Sequence, residues 1–209
     1  MTNLEQIVDA AVNSPQRKRG AALEDAIRQA AFEELTAVGY TAFSVEGVAA
    51  RARTGKASIY RRWPTKQELV MDSLLAVLPT PQDCGIAMQL DDSVTTVEAL
   101  YAVARAIGKV ITSPAGDAMR AIKCEAASDP ELAKMIDERF QAPRRAAMLG
   151  LLTRGVQRGE VRPGAATPLV ADVLPAVLMH RVIMLREALT ARDITAVVEE
   201  IFIPLIEIR

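Results

Sequence analysis

Residues 51–66, RARTGKASIYRRWPTK, carry six basic side chains (Arg51, Arg53, Lys56, Arg61, Arg62 and Lys66) and no acid. The 209-residue chain as a whole is slightly acidic, with 25 Lys and Arg against 26 Asp and Glu, so this is a local concentration of cations. Such a cluster suits a row of phosphates, because each phosphate neutralised by Lys or Arg releases condensed counterions. Other chemistries lack their residues. Gly47 through Ala57 ends in Thr54-Gly55-Lys56-Ala57 like a phosphate loop, but the glycine spacing fails and no hydroxyl follows Lys56. A single histidine, His180, cannot supply the paired Glu-x-x-His motifs of a di-iron bundle, and it removes most zinc and Ser-His-Asp sites. No Gly-x-Ser-x-Gly elbow is present. The expectation is a non-enzyme without metal or cofactor. Cys84 and Cys124 lie far apart, which favours a reducing compartment over a disulfide framework. His180 is expected to be packed or at an interface, and Cys124 to be a small core residue.

The elements that position the basic segment read as helices. Half of the residues are hydrophobic, enough for a sizeable core. Leu23, Ile27, Ala31, Leu35 and Val38 recur at helical spacing over 21–38, and Gly39 follows as a left-handed stop. Ser44 is an N-cap for a short second helix, 44–51. A third, about 56–62, ends where Trp63-Pro64 turns the backbone away from α. Thr65 and Glu68 form a capping-box pattern for a fourth, ending near Leu78. Pro79, Pro81 and Gly85 mark a linker over 79–92. Five further helical patterns follow, at about 93–111, 116–127, 130–158, 168–190 and 193–206. The fold class is all-α, with domains expected at 14–78 and 79–209. Nothing reads as an export signal or membrane span, so a cytoplasmic protein is expected.

Two short helices joined by a tight turn are the helix-turn-helix arrangement, whose second helix enters the DNA major groove. Val45, Val48, Ile59 and Trp63 would hold the pair against the first helix. Small Ala57 and Ser58 would let the third helix approach the duplex. Phe43-Ser44-Val45-Glu46-Gly47-Val48-Ala49, followed by Ser58-Ile59-Tyr60-Arg61-Arg62-Trp63-Pro64-Thr65-Lys66, resembles the DNA-binding domain of TetR-type transcriptional repressors, over about residues 18–78. The resemblance implies a homodimer that binds double-stranded operator DNA and releases it when a small molecule occupies the C-terminal half. It makes Ser44 a phosphate contact, places Lys56, Ala57 and Ser58 at bases or nearby phosphates, and puts the Tyr60 hydroxyl on a phosphate. Arg61 would face the groove and Lys66 a phosphate, while Trp63 takes an aromatic core position. Arg17, Lys18 and Arg19 are read either as a basic arm before the first helix or as a solubilising tail.

Two positions depart from the family's pattern. Its usual Gly-apolar-Ser turn is Arg53-Thr54-Gly55 in this chain. A left-handed Arg53 would cost about 1 kcal/mol against Gly, and Gly55 is a weaker cap than Ser. In the C-terminal half, 168–190 is apolar nearly all round, which calls for a second buried face. Leu174, Val177, Leu178, Arg181, Val182 and Leu185, with Val197, Ile201 and Leu205 of the last helix, are the expected four-helix dimer interface. Met119, Ile122, Phe140, Met148 and Leu152 are the expected lining of a pocket for a mostly apolar effector, and the helix 65–78 the lever joining the halves. The alternative, from a different class, is a helical carrier or interaction module without specific DNA binding.

Overall fold

The computed structural model describes residues 15–81, 83, 93–185 and 188–208, which are mostly helical with no strand among them. Cys84 and most of the expected linker lie outside the described residues. The chain divides into two compact units, residues 1–76 and 77–209.

In the first unit, α1 spans Pro15–Ala42, α2 Val45–Arg51, α3 Lys56–Tyr60 and α4 Lys66–Val77. Helix α1 begins earlier than the periodicity suggests and contains Arg17, Lys18 and Arg19 within its first turns, so these three residues are part of the helix and not an arm ahead of it. Gly39 has φ 75 and ψ 172, which kinks α1 one turn before its end. The Ser44 hydroxyl accepts from the Gly47 amide at 3.0 Å and starts α2. Thr65 and Glu68 exchange the two bonds of a capping box ahead of α4. Ile27, Ala31, Leu35, Val48, Ile59 and Trp63 are buried. Burying a side chain the size of Val48 or Ile59 contributes about 1.5–3 kcal/mol.

The second unit contains α5 (Thr96–Ile111), α6 (Pro114–Glu125), α7 (Pro130–Ile136) and α8 (Ala142–Gln157). A 3-10 turn at Pro163–Ala165 precedes α9 (Pro168–Ile183), α10 (Ala191–Ala196) and α11 (Ile203–Ile206). The stretch expected as one helix over 130–158 is interrupted by a π turn, Asp137–Gln141, and the last helix by a second, Val197–Phe202. Both have one cause. Pro143 and Pro204 follow directly, and the residue before each, Ala142 or Ile203, bonds back five residues to Asp137 or Val198. Widening the turn relieves the clash between a proline ring and the carbonyl four residues before it. Helix α9 ends at Ile183, short of the expected 190, and Thr190 instead caps α10. Helix α9 packs against α5, α8 and the second π turn, with Leu100, Leu152, Leu174, Leu178 and Phe202 fully buried among them. Cys124 is exposed at the end of α6, contrary to the core role expected of it, and His180 is also exposed, not packed within the chain.

The capping boxes give this unit an acid-sensitive element. Backbone and side-chain hydrogen bonds from Thr95 hold Glu98 below the ordinary carboxylate range, and the Thr190 side chain and backbone do the same for Asp193. A carboxylate depressed in the fold contributes stability that is complete above its unfolded pKa and lost as pH falls through its folded value. A Glu98→Gln, Asp193→Asn variant should therefore show a flatter fall in melting temperature between about pH 5 and pH 2 than the parent, followed by circular dichroism.

Candidate nucleic-acid interface and effector cavity

The turn between α2 and α3 is built on one strained residue. Arg53 has φ 50, and among the described residues no other non-glycine has positive φ. The turn closes through Thr54 N–H to Ala49 O at 3.0 Å, and Gly55 begins α3 without a side-chain cap bond. The expected substitution of Arg for Gly is therefore accommodated in the left-handed region, at a cost of about 1 kcal/mol.

The cations of 51–66 do not stay an uncompensated cluster. Arg51 Nε donates to Glu34 Oε2 at 2.8 Å, Arg62 Nε to Glu24 Oε1 at 3.0 Å, and Lys56 Nζ to Glu46 Oε1 at 2.6 Å. Glu34 is buried beneath α2, and a Cβ on Gly47 would collide with its carboxylate, so a larger residue there would require the Glu34 side chain to shift. Arg53 and Arg61 have no carboxylate partner among the described residues.

Lys56, Ala57, Tyr60 and Arg61 are exposed together on α3 and its C-terminal end. Ser58 is half-buried and accepts at Oγ from Arg62 Nη1 at 3.1 Å. Ser44 is half-buried, its hydroxyl already used as the α2 cap. Lys66 turns back onto α1: its Nζ donates to Tyr40 O at 2.6 Å and lies 4.3 Å from the Tyr40 ring centroid. Trp63 is buried as expected, its indole N–H donating to Asp72 at 2.9 Å. The same carboxylate oxygen accepts from Arg28 Nε at 2.8 Å, which joins α1, the end of α3 and α4. Composition and spacing offered no sign of Glu24, Glu34, Glu46 or Asp72 in this role. The partners lie up to 44 residues apart, beyond any local pattern.

The second unit holds a cavity of about 170 Å³. Met119, Phe140 and Met148 of the expected lining residues face it, joined by Val103, Ile107 and Met179. Ile122 and Leu152 are fully buried and do not line it. Its polar wall comes from Gln141, Arg144, Arg145 and Asp172, with Arg145 Nε bonded to both Asp172 oxygens at 2.9 and 3.0 Å. Gln141 and Phe140 belong to the first π turn, a residue-level feature that sequence periodicity does not reveal.

Residues 27–72 match the family of bacterial regulatory proteins, tetR family, and residues 90–201 match the tetracyclin repressor-like C-terminal domain. The chain belongs to the tetR family. It is a DNA-binding transcriptional regulator of the helix-turn-helix type. An HTH-type transcriptional regulator of Mycobacterium tuberculosis (strain H37Rv) is 30% identical over 169 residues, 79% of each chain. The regulator YdeS of Bacillus subtilis is 29% identical over 177 residues, 81% of this chain and 84% of its own. In fold, this TetR-type chain is similar to a TetR-family regulator from Mesorhizobium loti at a TM-score of 0.73. That likeness has 21% identity and covers 91% of this chain and 99% of the other.

The residues expected at a dimer interface in this TetR-family protein separate into groups. Leu174, Leu178 and Val197 are buried in the chain's own core and have almost no surface left to offer. Val177, Val182 and Leu205 are half-buried against that core, and Arg181 Nη2 lies 3.5 Å from Asp193 Oδ1. Leu185 and Ile201 are exposed, as are Leu169, Ile183 and Met184, which sequence reasoning left out. An apolar all-round helix thus spends most of its surface on its own subunit. Arg53→Gly should relieve the turn and raise the stability of the DNA-binding unit by about 1 kcal/mol, read as a higher denaturant midpoint by fluorescence of Trp63.

Proposed function

We propose that this regulator is a homodimeric, cytoplasmic repressor whose α2–α3 pair binds a double-stranded operator and whose cavity takes a small effector that releases it. The DNA-binding domain is assigned to residues 14–78 and the regulatory and dimerisation domain to 79–209, with no catalytic role. The observation that carries the DNA reading is the exposed group on α3, where Lys56, Ala57, Tyr60 and Arg61 stand clear of the core while Ile59 between them anchors the helix. A short helix with small and basic residues outward and one aliphatic anchor inward fits a major groove about 12 Å wide. Arg61 is its strongest candidate, since no carboxylate competes for it. Ser44, Ser58 and Lys66 are assigned to phosphates in a secondary role, because each already serves an intramolecular bond that DNA would have to share or displace.

The exposed apolar side chains Ile183, Leu185 and Ile201, with half-buried Val177, Val182 and Leu205, support pairing of two chains through α9 and the last helices. Pairing would space two recognition helices by about one DNA turn, roughly 34 Å. The cavity supports the effector reading, and FadR of Bacillus subtilis, of the same fold, has been solved in complex with stearoyl-CoA. Release requires the effector to favour a state that binds DNA poorly; a tenfold loss of affinity takes about 1.4 kcal/mol of differential binding. Neither step involves bond chemistry.

Fluorescence anisotropy with the DNA upstream of its own coding sequence tests the interface through two changes of opposite sign. Arg61→Ala should weaken binding by about tenfold or more. Glu46→Gln should strengthen it by about threefold or more, since it removes a carboxylate near the phosphates and frees Lys56. Salt-insensitive binding, or equal affinities for parent and both variants, would sink the assignment. Sedimentation should give a species twice the chain mass, and a 22.6 kDa monomer at micromolar concentration would remove the interface.

A further inference from the structure

The turn between α2 and α3 carries a side chain that the fold does not use. Arg53 sits at φ 50, where any side chain is less favourable than glycine. The bonds that close the turn run between backbone groups. Arg53 N–H donates to Ala50 O at 3.3 Å, Thr54 N–H to Ala49 O at 3.0 Å and Ser58 N–H to Gly55 O at 2.9 Å. Glycine at position 53 would keep each of them. Two residues on, Gly55 has extended backbone at φ −85, and a Cβ there would meet open space. A capping hydroxyl would fit at Gly55 and stabilise the start of α3. The turn thus has a side chain where glycine is more stable, and glycine where a side chain is more stable.

No contact inside the chain offsets this at Arg53. Arg51 and Arg62 are held by Glu34 and Glu24, Lys56 by Glu46, and Lys66 by the carbonyl and ring of Tyr40. Arg61 Nη2 reaches Ser58 Oγ at 3.5 Å. The Arg53 side chain is exposed and, among the described residues, makes no hydrogen bond, ion pair or ring contact. It also adds a like charge to a segment already rich in cations. A strained residue with an unanswered charge, set beside the helix offered to DNA, points to a partner outside the chain.

We infer that Arg53 is a phosphate contact of the DNA complex, at a position where the family's pattern has glycine, and that it holds the duplex backbone at the rim of the groove entered by α3. This rests on the reading of α3 as the helix in the groove. Arg53 precedes α3 by three residues and so lies just outside it. Beyond the edge of a major groove about 12 Å wide runs a sugar–phosphate strand. Exposed Gly55 places no side chain of its own between Arg53 and a strand passing the start of α3. A guanidinium suits the task, being planar, permanently charged and able to donate two parallel bonds to phosphate oxygens. Such a contact reads no base; it fixes how the protein sits on any duplex.

The full-length protein, titrated over a range of salt against the DNA upstream of its own coding sequence and against an unrelated duplex of equal length, tests this by anisotropy. Arg53→Gly should weaken binding to both duplexes by about fivefold or more at about 0.1 M salt. It should also make the fall of log affinity with log salt shallower by about 0.9 per bound chain. The same variant should melt higher than the parent, so a damaged fold does not explain the loss. Arg53→Asn, neutral and tolerant of left-handed backbone, should bind as Arg53→Gly does. Arg53→Lys should keep the parent's salt slope. Lys109→Gln, which removes one exposed cation from the second unit, should change neither affinity nor slope. Parent-like affinity and slope in Arg53→Gly overturn the inference. A loss confined to the upstream DNA also overturns it, as that would be base reading. So does an equal loss in Arg53→Lys, which would make the turn's shape and not its charge the cause. Arg61→Ala measured alongside separates the two readings. A loss at Arg61 with none at Arg53 leaves α3 in the groove and overturns only the phosphate contact, whereas a loss at Arg53 with none at Arg61 supports the contact and counts against Arg61 as the groove residue.

Discussion

The geometry of the DNA-binding unit depends on one carboxylate. Asp72 accepts from Arg28 on α1 and from the indole of Trp63 beyond α3, through the same oxygen. A helix as short as α3, five residues, has no stability of its own, because nucleating a turn fixes several dihedrals for a single hydrogen bond. Its position has to come from tertiary contacts. Ile59 supplies the apolar anchor and Trp63 the directional one, with Arg28 also lying 5.8 Å from the centre of the Trp63 ring. A hydrogen bond to a charged group is worth about 1.5–3 kcal/mol, enough to decide the orientation of so small an element.

Charge balance follows a similar economy around that scaffold. A run of basic residues would repel itself if left uncompensated, and the fold places Glu24, Glu34 and Glu46 against Arg62, Arg51 and Lys56. The inner pairs brace α1 against α2 and α3. Arg61, which like Arg53 has no carboxylate partner among the described residues, stands outward. A net charge near zero is therefore compatible with a phosphate-facing surface, since the field at the groove depends on which charges are compensated locally.

In the C-terminal unit the prolines shape the cavity. Pro143 and Pro204 each widen the preceding turn, and the first of these turns presents Phe140 and Gln141 toward the cavity. Part of the polar wall, Gln141, thus originates in a backbone irregularity, while Arg144, Arg145 and Asp172 come from the regular helices α8 and α9. Opposite it, α5, α6 and α9 contribute aliphatic and methionine side chains. Methionine's unbranched, polarizable side chain lets that wall adapt its shape.

From the sequence alone came the all-α class, the capping residues Ser44 and Thr65, the left-handed strain at Arg53 and the tetR-family motif. All of these are written in spacing over three or four residues, or in the local conformational limits of single residue types. Tertiary structure alone decided which cations keep a partner, that Lys66 folds back onto Tyr40, that Cys124 is exposed, and that Leu174 and Leu178 belong to the chain's own core. It also decided that Ile122 and Leu152 stand behind the cavity wall instead of on it. Periodicity says that a helix has an apolar face but not what covers it. A charge's partner is set by distances between residues far apart in the chain, and those exist only once the helices have packed.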